Sequence, residues 1–238
     1  MKRIIAAFVL LLGVIRLDAQ NIYVVAAGID DYPGDENDLY LPVNDARDIT
    51  SLYKLNSRSS TYLLTNEEAT AENILMAMTD RFSRAGKNDI IVLFYSGHGY
   101  RGGFATYDSY LSYEDIKSAM SASSAGCKMV FANACYSGGL RENDRNYGGK
   151  VPDMDLMLFL SSREYEFSWE ASFTMRNSFF TSCLLRCLKG GADSNRDRII
   201  TAKELFKAVS EGVVSLSDGV QHPVMWGKFD DDMPVIIW

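Results

Sequence analysis

The sequence predicts an α/β fold built on one mainly parallel β-sheet with helices on both faces, and three observations carry that prediction. Nearly unbroken apolar runs of strand length recur at residues 22–28, 90–95, 128–132 and 156–160. This is the pattern of strands buried on both faces, not the alternation of a half-exposed sheet. Segments of helical period with capping residues fall between the runs, so the connections are right-handed crossovers. The composition, 47% hydrophobic and 23% charged over 238 residues, suits one globular domain spanning 20–238.

The elements follow in order. The first run ends at Gly28 and opens into a polar loop, 30–42, with Pro33-Gly34 at its turn. Asn44-Asp45-Ala46-Arg47-Asp48-Ile49 reads as a capped helix start. A short strand is expected at 61–64, and Thr70 caps a helix that carries Ile74, Leu75 and Met78 at helical spacing. Asp89 introduces the second buried run. After a glycine-rich stretch Ser112 caps another helix, and the third and fourth runs follow. Helices are expected over about 179–188 and from Thr201, with Gln221-His222-Pro223 beginning the final strand. There is no internal repeat and no low-complexity tract.

Ahead of this domain, Lys2-Arg3, an apolar stretch over 4–15 and Leu17-Asp18-Ala19 form the three-part layout of a secretory signal peptide, residues 1–19, with cleavage expected after Ala19. A membrane anchor is the alternative, but the stretch is well short of the roughly 20 apolar residues a bilayer demands. The expected location is therefore secreted or periplasmic, without stable membrane insertion after cleavage. Removal of Lys2, Arg3, Arg16 and Asp18 takes the net charge from −7 to −9. That balance, with no concentrated Lys/Arg run, argues against a nucleic-acid partner.

Any imidazole or thiol chemistry must come from six residues: His98, His222, Cys127, Cys135, Cys183 and Cys187. In open parallel sheets the functional crevice lies at the carboxyl ends of the strands. Two of those ends are distinctive: 90–95 runs into Ser96-Gly97-His98-Gly99-Tyr100, and 128–132 into Asn133-Ala134-Cys135-Tyr136-Ser137-Gly138-Gly139. A histidine and a cysteine thus share one sheet edge. Thiolate attack on a carbonyl needs a base or imidazolium nearby and amide N–H groups aimed at the oxyanion. The amides of Gly99 and Cys135 are natural donors. Taken singly, each residue also fits a plain structural role, a hydrogen-bonded loop histidine and a small buried cysteine.

On these residues the chain resembles the caspase-like cysteine peptidases, most closely their metacaspase and bacterial caspase-family branch. The resemblance rests on Gly28-Ile29-Asp30-Asp31-Tyr32-Pro33-Gly34, Val43-Asn44-Asp45-Ala46, Tyr95-Ser96-Gly97-His98-Gly99 and Cys135-Tyr136-Ser137-Gly138, in that order and at matching spacing. It implies a caspase-like (caspase-hemoglobinase) fold and peptide-bond hydrolysis of a peptide or protein substrate, with Cys135 as nucleophile, His98 as general acid/base and Gly99 completing the oxyanion hole. It also implies a substrate pocket for Arg or Lys at Asp45 and Ser96, with Asn133 standing where similar metacaspases carry aspartate. A neutral amide there forfeits one ionic contact, worth about 1–3 kcal/mol of discrimination. No cofactor is required. Another thiol hydrolase, such as an amidase or transpeptidase, and a catalytically silent binding module are the alternatives. A silent module is disfavoured because both His98 and Cys135 are present.

The remaining features are secondary. Arg141, Arg145 and Lys150 make the polar loop 140–150 a candidate for self-cleavage by an enzyme that prefers basic residues. Residues 193–204 carry Asp193, Asn195, Asp197, Ile199, Thr201 and Glu204 at the ligand positions of an EF-hand loop, so calcium is possible. Arg198 occupies the position of the turn glycine and would need a positive φ, and a metal-free loop that caps the next helix is the alternative. Cys183 and Cys187, four apart on one helix, read as core packing. His222 lacks a thiol nearby in sequence. Ser161-Ser162-Arg163 and Trp169-Glu170 are candidates to line the cleft.

Overall fold

The structure, a computed structural model, describes residues 20–100, 102–135, 156–162 and 175–237. The signal segment 1–19, the loop 140–150, Arg163 and Trp169-Glu170 lie outside the described residues. The strands of the central sheet are β1 (Ile22–Gly28), β2 (Ser59–Thr65), β3 (Ile90–Ser96), β7 (Cys127–Asn133), β8 (Met157–Leu160) and β10 (Val224–Gly227). Their order across the sheet is β10-β8-β7-β3-β1-β2, all parallel except β10, which runs antiparallel to β8 at one edge. The apolar runs thus become the four inner strands. Every residue of β3 and β8 is buried, as a strand covered on both faces requires.

Alternate residues face two cores. Val24, Ala26, Val92 and Phe94 point to one side, where α1 (Pro42–Tyr53), α4 (Phe179–Arg186) and α5 (Ala202–Leu216) pack. Val25, Ala27, Leu93 and Tyr95 point to the other, under α2 (Ala71–Phe82) and α3 (Tyr113–Ser121). Thr70, Ser112, Ser178 and Thr201 are the N-caps of α2, α3, α4 and α5, each accepting a hydrogen bond from the amide three residues on.

Three expectations need correction, and the glycine-rich stretch after β3 gains strands of its own. Helix α1 begins at Pro42, two residues before Asn44, and no side chain of its own caps it. Asp30 Oδ1, from the preceding loop, instead accepts from the Val43 amide at 2.8 Å, and Pro42 has no N–H to satisfy. The stretch after β3 forms a small antiparallel sheet of β4 (Gly99–Tyr100), β5 (Gly103–Ala105) and β6 (Tyr110–Ser112). The regular helix α4 stops at Arg186, because Cys187–Gly191 widens into a π-type turn closed by Gly190 at φ 103°. Residues 221–223 precede β10, not the final strand. The final strand is β11 (Pro234–Ile237), which pairs with β9 (Ile199–Thr201) in a separate ribbon.

Candidate active site

The parallel register of β3 on β7 aligns Tyr95 with Ala132 and Ser96 with Asn133. His98 and Cys135 therefore each stand two residues beyond one paired position, on adjoining strands. The Gly97 amide donates to the Asn133 carbonyl at 3.2 Å and carries the pairing one step past the strands. At Gly99 the two loops touch: a β-carbon there would run into the Cys135 carbonyl and stand 3.0 Å from the Ala134 methyl. Only glycine allows that approach. The peptide groups of Gly99 and Cys135 are thus neighbours.

His98 is half-buried and held from the β1–α1 loop. Its Nε2 lies 2.7 Å from the Asn37 carbonyl. A carbonyl only accepts, so Nε2 carries the hydrogen and Nδ1 is left to take a proton. The Tyr32 ring lies against the imidazole, centroids 4.8 Å apart. On the other strand, the Ala134 amide donates to Ser161 Oγ at 3.2 Å, and the Ser161 amide donates to the Ala132 carbonyl at 2.9 Å. Gln221 Nε2 anchors the Ser161 carbonyl at 2.8 Å. The peptide leading into Cys135 is thereby pinned from β8 and from the approach to β10.

None of the four cysteines is joined in a disulfide. Burial pushes the thiols of Cys127 and Cys187 above the usual range and that of Cys183 to about 11, so these three stay protonated in their packing positions.

Asp45, Ser96 and Asn133 meet in one hydrogen-bonded cluster below this edge. Asp45 is wholly buried. Its Oδ2 accepts from Ser96 Oγ at 2.9 Å, Asn133 Nδ2 at 3.2 Å and Ser178 Oγ at 2.7 Å, and its Oδ1 accepts from the Ser178 amide at 3.1 Å. Asn133 Nδ2 also reaches Ser96 Oγ at 3.2 Å, while Asn133 Oδ1 is buried without a partner among the described residues. Burial pushes the Asp45 carboxyl up from 3.8 to about 6, and the hydrogen bonds from Ser178 and Ser96 recover only part of that shift. Arg176, two residues before Ser178, makes a bidentate pair with Asp48 at 2.7 and 2.8 Å rather than with Asp45.

A cysteine and a histidine at matched offsets beyond adjoining parallel strands, above a buried carboxyl, is the arrangement to compare with known proteins. The family described as the caspase domain matches residues 23–233. The chain belongs to the caspase-domain family. It is also similar to metacaspase-4 of Arabidopsis thaliana, 27% identical over 150 residues, a match that covers 53% of this chain and 36% of that relative's length. Among solved structures, caspase-1 from Spodoptera frugiperda superposes with a TM-score of 0.67 at 16% identity, covering 90% of this chain and 88% of that one. Protein GSU0716 from Geobacter sulfurreducens does so with 0.68 at 17% identity, covering 91% and 99%. At those identities the superpositions speak for the fold alone.

Within this caspase domain the 193–204 loop is built as a helix cap. Glu204 Oε2 accepts from the Thr201 amide at 3.2 Å and hydroxyl at 3.0 Å, closing a capping box, and its Oε1 accepts from the Ser194 amide and hydroxyl at 3.1 and 2.7 Å. Asp193 and Asn195 take the Asp197 amide, Asp193 also takes that of Arg198, and Asp197 takes that of Ile199. Arg198 has the expected positive φ, 69°, and Arg196 joins it at 64°. Among the described residues no three Asp, Glu, His or Cys side chains converge where a metal ion could sit. As folded, the loop turns these oxygens onto its own amides, the metal-free arrangement of a helix cap.

Sequence reasoning missed Ser178, although Ser178 ahead of the apolar Phe179-Phe180 is a capping signal in its own right. It also missed Asn37, which acts through its carbonyl and so leaves no side-chain signature. Ser161 and Ser162, expected to line the cleft, are buried against the Ala134 peptide.

Proposed function

We propose that this caspase domain is an exported cysteine endopeptidase that hydrolyses peptide bonds with Cys135 as nucleophile and His98 as general acid and base. One observation carries the reading: His98 and Cys135 stand at the same offset beyond the paired Ser96 and Asn133, with their loops in backbone contact at Gly99. The Cys135 thiolate adds to the scissile carbonyl, and the oxyanion is stabilised by the adjoining Gly99 and Cys135 amides. His98 gives a proton to the departing amine as the C–N bond breaks, leaving a thioester. The neutral imidazole then takes a proton from water as it attacks the thioester, which releases the carboxylic acid and restores the thiol.

The preferred residue before the cleaved bond is Arg or Lys. Asp45 supports this as the buried carboxylate below the dyad, with Ser96 shaping the site and the unpartnered Asn133 Oδ1 as a further acceptor for a guanidinium or ammonium. Fluorogenic peptides ending in Arg, Lys, Gln or Asp, assayed beside Cys135→Ala and His98→Ala, test both points. Turnover of the Arg and Lys peptides, lost in both variants, is expected. Turnover that survives His98→Ala would overturn the dyad, and no thiol-dependent turnover of any peptide would leave a binding module. Export rests on residues 1–19, and the amino-terminal residue of the mature chain, expected to be Gln20, checks it.

A further inference from the structure

Tyr32 and Tyr95 both approach the backbone of His98 with their hydroxyls. The His98 amide donates to Tyr32 Oη at 2.9 Å. Tyr32 Oη lies 3.2 Å from Tyr95 Oη. Tyr95 donates to the Ala105 carbonyl at 2.6 Å, and the Ala105 amide returns to the His98 carbonyl at 3.0 Å. Tyr95 Oη also lies 2.9 Å from the His98 carbonyl and Tyr32 Oη 3.4 Å from the Ala105 carbonyl, so the two phenols share these carbonyls as acceptors between two fixed backbone donors, His98 N–H to Tyr32 and Ala105 N–H to the His98 carbonyl. The contacts close a ring around the His98 backbone.

We propose that Tyr32 and Tyr95 are positioning residues for catalysis, their hydroxyls closing a buried hydrogen-bond ring that fixes both peptide groups of His98 and so aims the imidazole at its partners. This deepens, and rests on, the Cys/His reading above. Both rings are almost wholly buried, Tyr32 at 7% exposure and Tyr95 at 1%, and bonds in such a circuit polarise one another. Tyr95 stacks on Phe104 at 4.3 Å, and the Tyr32 amide is held by Asp38 Oδ1 at 3.1 Å. The Asp30 and Asp31 amides both reach Asn66 Oδ1, at 3.0 and 3.4 Å, and tie the same loop to the end of β2. That loop also carries Asn37, so a single segment grips His98 at its amide, its ring face and its Nε2. Burial holds the Tyr32 phenol up at about 12, which keeps it a donor and acceptor throughout the working range. The Gly97 position confirms how tight the circuit is: a β-carbon there would stand 2.5 Å from both phenolic oxygens.

The test uses Tyr32→Phe and Tyr95→Phe in the full chain, with two readouts. The first is steady-state kinetics on an Arg peptide. Tyr32→Phe is expected to lower kcat by about tenfold to a hundredfold with KM within about twofold, the signature of misplacement in place of lost binding. The second is histidine NMR in a Cys135→Ala background, where only His98 and His222 contribute. The wild-type ring is expected as the Nε2–H tautomer, with Tyr32→Phe giving a tautomer mixture. A folded Tyr32→Phe with wild-type kcat and an unchanged His98 tautomer overturns the inference. Tyr95→Phe opens the ring from its other side, so its wild-type behaviour in a folded protein overturns it as well. If His98→Ala itself retains activity, the Cys/His reading falls instead.

Discussion

At the scale of single residues, Asp45 decides the most. Its carboxyl is ordinary near 3.8 in the unfolded chain and about 6 in the fold. The folded value is the higher, so its contribution to stability is complete below 3.8 and is lost as pH rises through 6, a cost of about 3 kcal/mol at neutral pH. Asp45→Asn does not titrate, and its melting temperature should fall less than that of the wild type between pH 4 and pH 7. The charge that costs stability is the one a basic substrate needs. The ratio of kcat/KM for Arg over Gln peptides should therefore rise through pH 6 in the wild type and stay flat in Asp45→Asn, with His98 cancelling from the ratio. Asn133 complements this balance, because its Nδ2 donates where an aspartate would place a second carboxylate 3.2 Å from Asp45 Oδ2. Asn133→Asp should raise the Arg-over-Gln ratio about tenfold at pH 8 and lower the melting temperature, since two buried carboxylates must then share a site. Gly97→Ala is the severe change on this edge. Its β-carbon would enter the space of the Tyr32 and Tyr95 hydroxyls, and peptidase activity should disappear.

At the scale of elements, what could be read in advance depended on length and on whether a residue acts through its side chain. The inner strands and α2, α3 and α5 were legible because long apolar runs and capping residues mark them. Strands β4, β5 and β6, two or three residues each, are too short for any period. The start of α1 was misplaced because its cap, Asp30, lies thirteen residues from the amide it serves. His98, Cys135, Asp45, Ser96 and Asn133 were legible as motif residues at strand ends, whereas the Asn37 carbonyl and the Ser178 clamp exist only once the chain folds back. The 193–204 loop is a case of the opposite kind, in which one pattern serves two readings. Its oxygens occur at cation-ligand spacing, yet Glu204 spends both carboxylate oxygens on Ser194 and Thr201. Glu204→Ala should cost about 0.5–2 kcal/mol, a few degrees in melting temperature, by the loss of the capping box. A calcium titration with a melting readout separates the two readings: no shift in either protein at millimolar calcium is expected of the cap alone, and a rise confined to the wild type is expected of a metal site.

At the scale of the whole molecule, the sheet joins two chain segments that need no covalent link to stay together. β7 and β8 pair in parallel from Met129 with Met157 to Ala132 with Leu160, and β8 is in turn flanked by β10. Phe159 on β8 packs edge-to-face against Phe131, Phe180 and Phe206, from β7, α4 and α5. A chain cut between β7 and β8 would leave β8 through α5 bound to the rest by a ladder of backbone hydrogen bonds and a continuous apolar core. Unzipping it would expose the fully buried Met157, Leu158, Phe159 and Leu160, about 1.5–3 kcal/mol each. The basic residues Arg141, Arg145 and Lys150 all fall in that interval, so a peptidase that prefers Arg or Lys should cut itself there. Purified wild type should resolve into two fragments on a denaturing gel, with new ends after one of these residues by mass spectrometry. The fragments should still co-elute as one species under native conditions. Cys135→Ala should remain a single chain, and an intact wild type would refute self-cleavage.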